Sequence, residues 1–233
     1  MEKSKIITYS LLAHINNSGL LVNDLLSIFE PLVKRILSKM NSESISKGKN
    51  ISEIKSRFDS AYKIELPLPV LRNILKRIAH QTNTAEQVHF QIFENDDAFI
   101  IHNFIFVDYD EIITEKEKEI DELESAFREF CNINSLEEKD FSSIFDFIEC
   151  NKLSLVQYLN VPEKIQTINI DFNNEAKFVD FFRQFPPLFK KIRDIYLGSI
   201  ISCYLEYETV KGNSDVEILF DTNYILSLLD LNS

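Results

Sequence analysis

Six cations crowd the stretch from residue 55 to residue 77: Lys55, Arg57, Lys63, Arg72, Lys76 and Arg77. Lys47 and Lys49 stand just before them. A cluster of this kind neutralises phosphates and gains free energy by releasing their counterions. Arg72 carries a guanidinium fork that matches a guanine edge or a phosphate, whereas Lys76 acts as a point charge. A second group with chemical potential is Asp221-Thr222-Asn223, between the apolar run Val216–Phe220 and the apolar stretch Tyr224–Leu231. A carboxylate at the C-terminal end of a buried strand is held rigidly where clefts form. The same three residue types also favour the N-cap of a helix, which is the plainer reading of the run.

The charge is unevenly spread. The chain is −12 overall, yet residues 31–80 are net +7 and residues 81–233 net −18. Surface fields are local at physiological salt, so the basic block matters more than the total.

The elements that must carry these residues follow from apolar spacing. Residues 4–15 and 22–40 read as helices, the second with a stripe from Leu25 to Leu37, and residues 41–50 as a loop. Residues 51–62 read as a third helix, with Ile54, Phe58 and Tyr62 on one face. Pro67 and Pro69 impose an extended entry to a fourth, running to about His80. Its apolar face is Val70, Leu71, Ile74, Leu75 and Ile78; its polar face is Arg72, Asn73, Lys76, Arg77 and His80. The period then changes to two over 89–94 and 98–107, around Asn95-Asp96-Asp97, which predicts a β-hairpin. That register sets His89 opposite His102, a two-ligand pair with no evident third partner for a metal.

Thr114-x-x-Glu117 and Ser135-x-x-Glu138 have the spacing of capping boxes, predicting an acidic helix to about Cys131 and one or two helices to about Leu159. The acidic run 115–124 reads as a solvated helix face. Residues 162–173 look irregular. Helices are expected at 174–185 and 187–209, divided by Pro186-Pro187, then a turn at 211–214, a strand at 216–220 and a helix at 222–231. The phenylalanines from Phe178 to Phe189 read as core or interface.

Three helices followed by a two-stranded wing, over residues 22–107, resembles the winged-helix family of nucleic-acid-binding domains. The resemblance rests on element order and implies that helix 69–80 is the recognition helix of a helix-turn-helix pair. The wing tip, with Glu94, Asp96 and Asp97, would repel a phosphate backbone, and protein interaction is an equally open reading. Residues 216–231 resemble the opening of PIN-domain nucleases, whose first strand ends in an acidic residue followed by Thr or Ser and often Asn. That resemblance covers about 16 residues and implies that Asp221 is catalytic and a ligand of Mg²⁺ or Mn²⁺, supported by Thr222 or Asn223. It implies too that the family's later acidic residues would lie beyond Ser233. The chain would then be the N-terminal part of a longer nuclease, with no cofactor of its own.

The expected fold is mostly α: a winged-helix-like domain with one β-hairpin (1–110), a helical domain (111–212) and a terminal strand–helix fragment (213–233). Four glycines and six prolines are too few for a turn-rich all-β sandwich. The most apolar run, Ile195–Leu205, is about half of the roughly 20 residues needed to span a bilayer, so no membrane partner is expected. Three scattered cysteines without a Cys-x-x-Cys suggest reduced, buried thiols in a cytoplasmic protein. There is no phosphate-binding Gly-rich loop, nucleophile elbow or zinc-ligand cluster. Two functions from different classes follow. One is the regulatory or nucleic-acid-targeting region of a PIN-like metal-dependent nuclease, with DNA or RNA as ligand and an incomplete active site. The other is a non-enzymatic helical interaction module that binds a protein partner or a second copy.

Overall fold

The computed structural model describes residues 3–18, 25–43, 47–48, 50–93, 98–102, 109–136, 141–159 and 173–210. The turn, strand and helix expected over 211–231, with Asp221, lie outside them, as does nearly all of 162–173. The described residues are predominantly helical, with one small antiparallel sheet. The described residues divide into two compact units, one within residues 11–113 and continuing from residue 200, the other within residues 1–10 and 114–199.

The first unit builds a helix–sheet alternation. After the end of α1 (Lys3–Asn17), a short 3-10 turn at Leu25–Ile28 precedes α2 (Glu30–Ser42). A continuous helix over 22–40 was expected, and Pro31 explains the difference. Its ring removes a backbone donor and clashes with the carbonyl four residues earlier, so the chain restarts as an α-helix with Pro31 in its first turn. Strand β1 (Lys47–Gly48) follows, then α3 (Ser52–Tyr62), α4 (Leu68–Thr82), β2 (Phe90–Phe93) and β3 (Ala98–Ile101). The sheet order is β1-β3-β2, all antiparallel. Residues 41–50 were expected to be loop throughout; Lys47 and Gly48 instead pair with Ile100 and Phe99.

The hairpin register is Phe90 with Ile101 and Ile92 with Phe99. Phe90, Phe99 and Ile101 are buried on the shared face, as the alternation predicts. They join Leu32, Val33, Ile36, Phe58, Tyr62, Leu71, Ile74 and Ile78 in the unit's core.

The connection from α3 to α4 is fixed by its own pattern. Ile64 and Leu66 are buried, alternating with exposed Lys63 and Glu65. Asp59 Oδ1 accepts from the Leu66 N–H at 2.9 Å. Pro67 is the extended N-cap of α4 at φ −60°, ψ 137°, and Pro69 lies in the first turn, where its missing N–H costs nothing.

The second unit contains most of α5 (Asp110–Ile133), then α6 (Ile144–Cys150), α7 (Lys152–Leu159), α8 (Asn174–Arg183) and most of α9 (Pro186–Val210). α5 begins four residues ahead of Thr114, so Thr114 is interior to the helix rather than its cap. Ser135 is likewise no cap: it is a turn residue at φ 54°. The cap of α6 is Ser143, whose side chain accepts from the Asp146 N–H.

Ile120, Leu123, Phe127 and Phe130 form the buried stripe of α5. Its phenylalanines enter a ring cluster: Phe127–Phe147 at 5.7 Å, Phe130–Phe178 edge-on at 5.5 Å and Phe147–Phe178 stacked at 4.6 Å. Phe178 and Phe182 are core, whereas Phe185 is exposed. The three cysteines are free, but Cys150 is exposed and the other two are half-buried, unlike the buried thiols expected. Among the described residues no helix is long and apolar enough to cross a membrane.

Candidate nucleic-acid interface

α4 is a 15-residue helix without a single acidic side chain, in a chain of net −12. At 1.5 Å per residue it is about 22 Å long. Its apolar face is buried against α2, α3 and β2. The opposite stripe, Pro69, Arg72, Asn73, Lys76 and His80, is exposed at helical spacing. Arg72 and Lys76 are therefore presented on one face by the burial of Leu71, Ile74, Leu75 and Ile78 on the other.

The remaining expected contacts sit differently. Arg77 leaves the exposed stripe: its side chain is about one-third exposed, and Nη1 stands 3.9 Å from the buried Glu30 carboxylate of α2. Lys55 ion-pairs with Asp59 one turn on and lies 3.8 Å from Glu65. Arg57 bonds Glu43 at 2.8 Å and approaches Glu53 at 3.8 Å. These α3 cations are held by carboxylates of their own unit. Lys63 is exposed at the C-cap of α3 in a left-handed conformation, φ 55°. Of the six basic residues, the structure places Arg72 and Lys76 together on the exposed stripe of α4.

Sequence reading also stopped short of the feature that joins α4 to the sheet. Asn83, the C-cap of α4, accepts from the N–H groups of His89 and Phe90 at 2.8 and 3.0 Å and donates to the Phe90 carbonyl at 2.6 Å. One amide side chain occupies the outward backbone groups of Phe90 as a neighbouring strand would, which closes the sheet edge there. The signal available was an Asn directly after a helical stripe.

A groove between α2 and α3, lined by Ile36, Lys39, Glu43, Arg57, Ser60 and Ala61, is a weaker candidate for an anion. Arg57 already bonds Glu43 across it, and Lys39 lies 3.8 Å from Asp110. Beside it, buried Arg35 bonds Tyr62 Oη at 3.4 Å and the Asp110 carboxylate, tying α2, α3 and the first residue of α5 together. Burial pushes the Tyr62 phenol above its ordinary value.

His89 and His102 do stand opposite each other, with the His102 N–H donating to the His89 carbonyl at 2.7 Å. Among the described residues no three His, Cys, Asp or Glu side chains are grouped to hold a metal. Asp221 lies outside the described residues. Comparison with known proteins returns no match of any kind: no family model, no curated protein and no solved structure matches this chain.

Proposed function

We propose that residues 22–107 form a nucleic-acid-targeting module of winged-helix type, serving a PIN-like, metal-dependent nuclease whose first strand and helix are residues 216–231. The observation that carries the targeting half is the exposed stripe of α4, which presents Arg72 and Lys76 on one helix face. The order α2-β1-α3-α4-β2-β3 with sheet order β1-β3-β2 supports the winged-helix half, since a short strand between the first two helices completes the sheet of the hairpin. The nuclease half rests on Asp221-Thr222-Asn223 alone. One carboxylate offers at most two oxygens, where Mg²⁺ takes about six ligands. Asp221 needs further carboxylates beside it, and no catalytic step is assigned to this chain.

The test of targeting is fluorescence anisotropy with labelled duplex and single-stranded probes at rising salt. Binding that weakens steeply with salt supports the proposal. Where a complete nuclease is present, Asp221→Asn is expected to abolish Mg²⁺-dependent cleavage and to leave probe binding intact. A second reading, a non-enzymatic protein-interaction module, is favoured by the engagement of Lys55 and Arg57 with carboxylates and by the exposed Val88 and Phe93. Salt-insensitive binding, or none at low salt, would move the module to that reading.

A further inference from the structure

Asn73 lies mid-way along α4, exposed, next to Arg72 and three residues before Lys76. This is an unfavourable place for asparagine. Its short amide competes for backbone groups, and it ranks among the poorer helix formers. Other asparagines in the chain offset that cost locally. Asn83 holds β2, Asn173 caps α8, and Asn134 and Asn151 donate to the carbonyls of Phe130 and Phe147. The Asn73 amide makes no hydrogen bond among the described residues. It costs the helix stability and returns none to the fold.

An outward amide between a guanidinium and an ammonium has a matching ligand. Adenine presents an acceptor and a donor side by side on its major-groove edge, which an Asn amide meets with two bonds, while an Arg fork meets guanine. A helix enters the major groove of a B-form duplex but not the deep, narrow one of A-form RNA. Single strands are held chiefly by stacking on exposed rings. The exposed stripe of α4 carries no Phe, Tyr or Trp and only the imidazole of His80 near its C-terminal end, Phe90 and Phe99 are buried, and Phe93 is the one exposed ring among the described residues of the sheet. Resting on the targeting reading, we infer that Asn73 is a specificity-determining residue that reads adenine in the major groove of duplex DNA, with Arg72 on a neighbouring base or phosphate and Lys76 on the backbone.

The full chain would be used to select duplexes from a random-sequence DNA pool, and affinity for the selected duplex followed by anisotropy. Asn73→Ala should weaken binding about ten- to a hundredfold and remove discrimination at one adenine position, leaving the salt slope unchanged. Lys76→Ala should lower that slope by about one and spare the discrimination. Alanine is the better helix former, so circular dichroism should show the Asn73 variant fully folded. A selected site without an adenine requirement, or Asn73→Ala that still discriminates, overturns the inference and leaves the targeting reading standing. Tighter binding to an RNA or single-stranded competitor overturns the duplex assignment. Failure to retain any nucleic acid at low salt overturns the targeting reading and this inference together.

Discussion

Gly198 shows what a single side chain can decide. A Cβ there would stand 1.9 Å from the Tyr9 carbonyl oxygen, so α1 and α9 meet backbone to backbone at this point. In an ordinary helix interior Gly→Ala stabilises by about 0.5–1 kcal/mol. Here Gly198→Ala should destabilise, by about 1–3 kcal/mol or more as an overpacked contact. A denaturant midpoint that rises in the variant would contradict the close approach. Nothing in the sequence marked this glycine, because its reason is a neighbour far away in the chain. Glu124 gives a pH signature. Burial raises its carboxyl above the ordinary value, against the opposing Ile144 N–H bond. A carboxyl raised on folding stabilises the fold while protonated, and that contribution is lost as pH rises from about 4.3, the free Glu value, through the folded value. Asp194 is raised by burial in the same sense, against nearby Lys190 and Lys116. Glu124→Gln keeps an acceptor for Ile144, so its thermal stability should fall less than wild type's over that rise in pH. An identical pH profile would contradict the assignment.

At the scale of elements, α3 and α4 were legible almost residue by residue, because one apolar stripe and two prolines set their faces and entry. The hairpin register was legible too, since a slip by one residue would turn Phe90, Phe99 and Ile101 to solvent. Three features were not. Pro31 lay inside a stripe that still looked continuous. Two residues, Lys47 and Gly48, are too short to show any period, so β1 is visible only through its partner β3. Thr114 had the spacing of a cap, but the helix already begins at Asp110, whose carboxylate bonds Arg35. Asn83 makes the join between α4 and β2 testable. Asn83→Ala removes three hydrogen bonds and should cost about 1–3 kcal/mol, with faster amide exchange at His89 and Phe90 and little change in α3. Unchanged protection at those two amides would show that the sheet edge is held by something else.

For the molecule as a whole, the division of charge is the organising fact: a basic block of +7 within residues 31–80 and an acidic remainder. The fold sharpens this reading by withdrawing cations from it. Lys55, Arg57 and Arg77 face carboxylates of the same unit and are at most partly available, which no count of charges foretells, and Arg72 and Lys76 share the exposed stripe of α4. The candidate interface was therefore legible as a segment and as a helix face, but not as a subset of its own cations. The run Asp221-Thr222-Asn223, read from the sequence as the opening of a PIN-like domain, lies outside the described residues. The central claim is that the exposed face of α4 meets nucleic acid through Arg72 and Lys76. The most direct test is the slope of log affinity on log salt for a duplex DNA probe, measured for the wild type and for the Arg72→Ala, Lys76→Ala double variant. Each phosphate contact contributes about −0.9 to that slope. The slope should flatten by about two units if both side chains meet phosphates, and by about one if Arg72 meets a base, with affinity lower at every salt concentration. An unchanged slope and affinity in the double variant, or a wild type that does not bind at low salt, would contradict the claim.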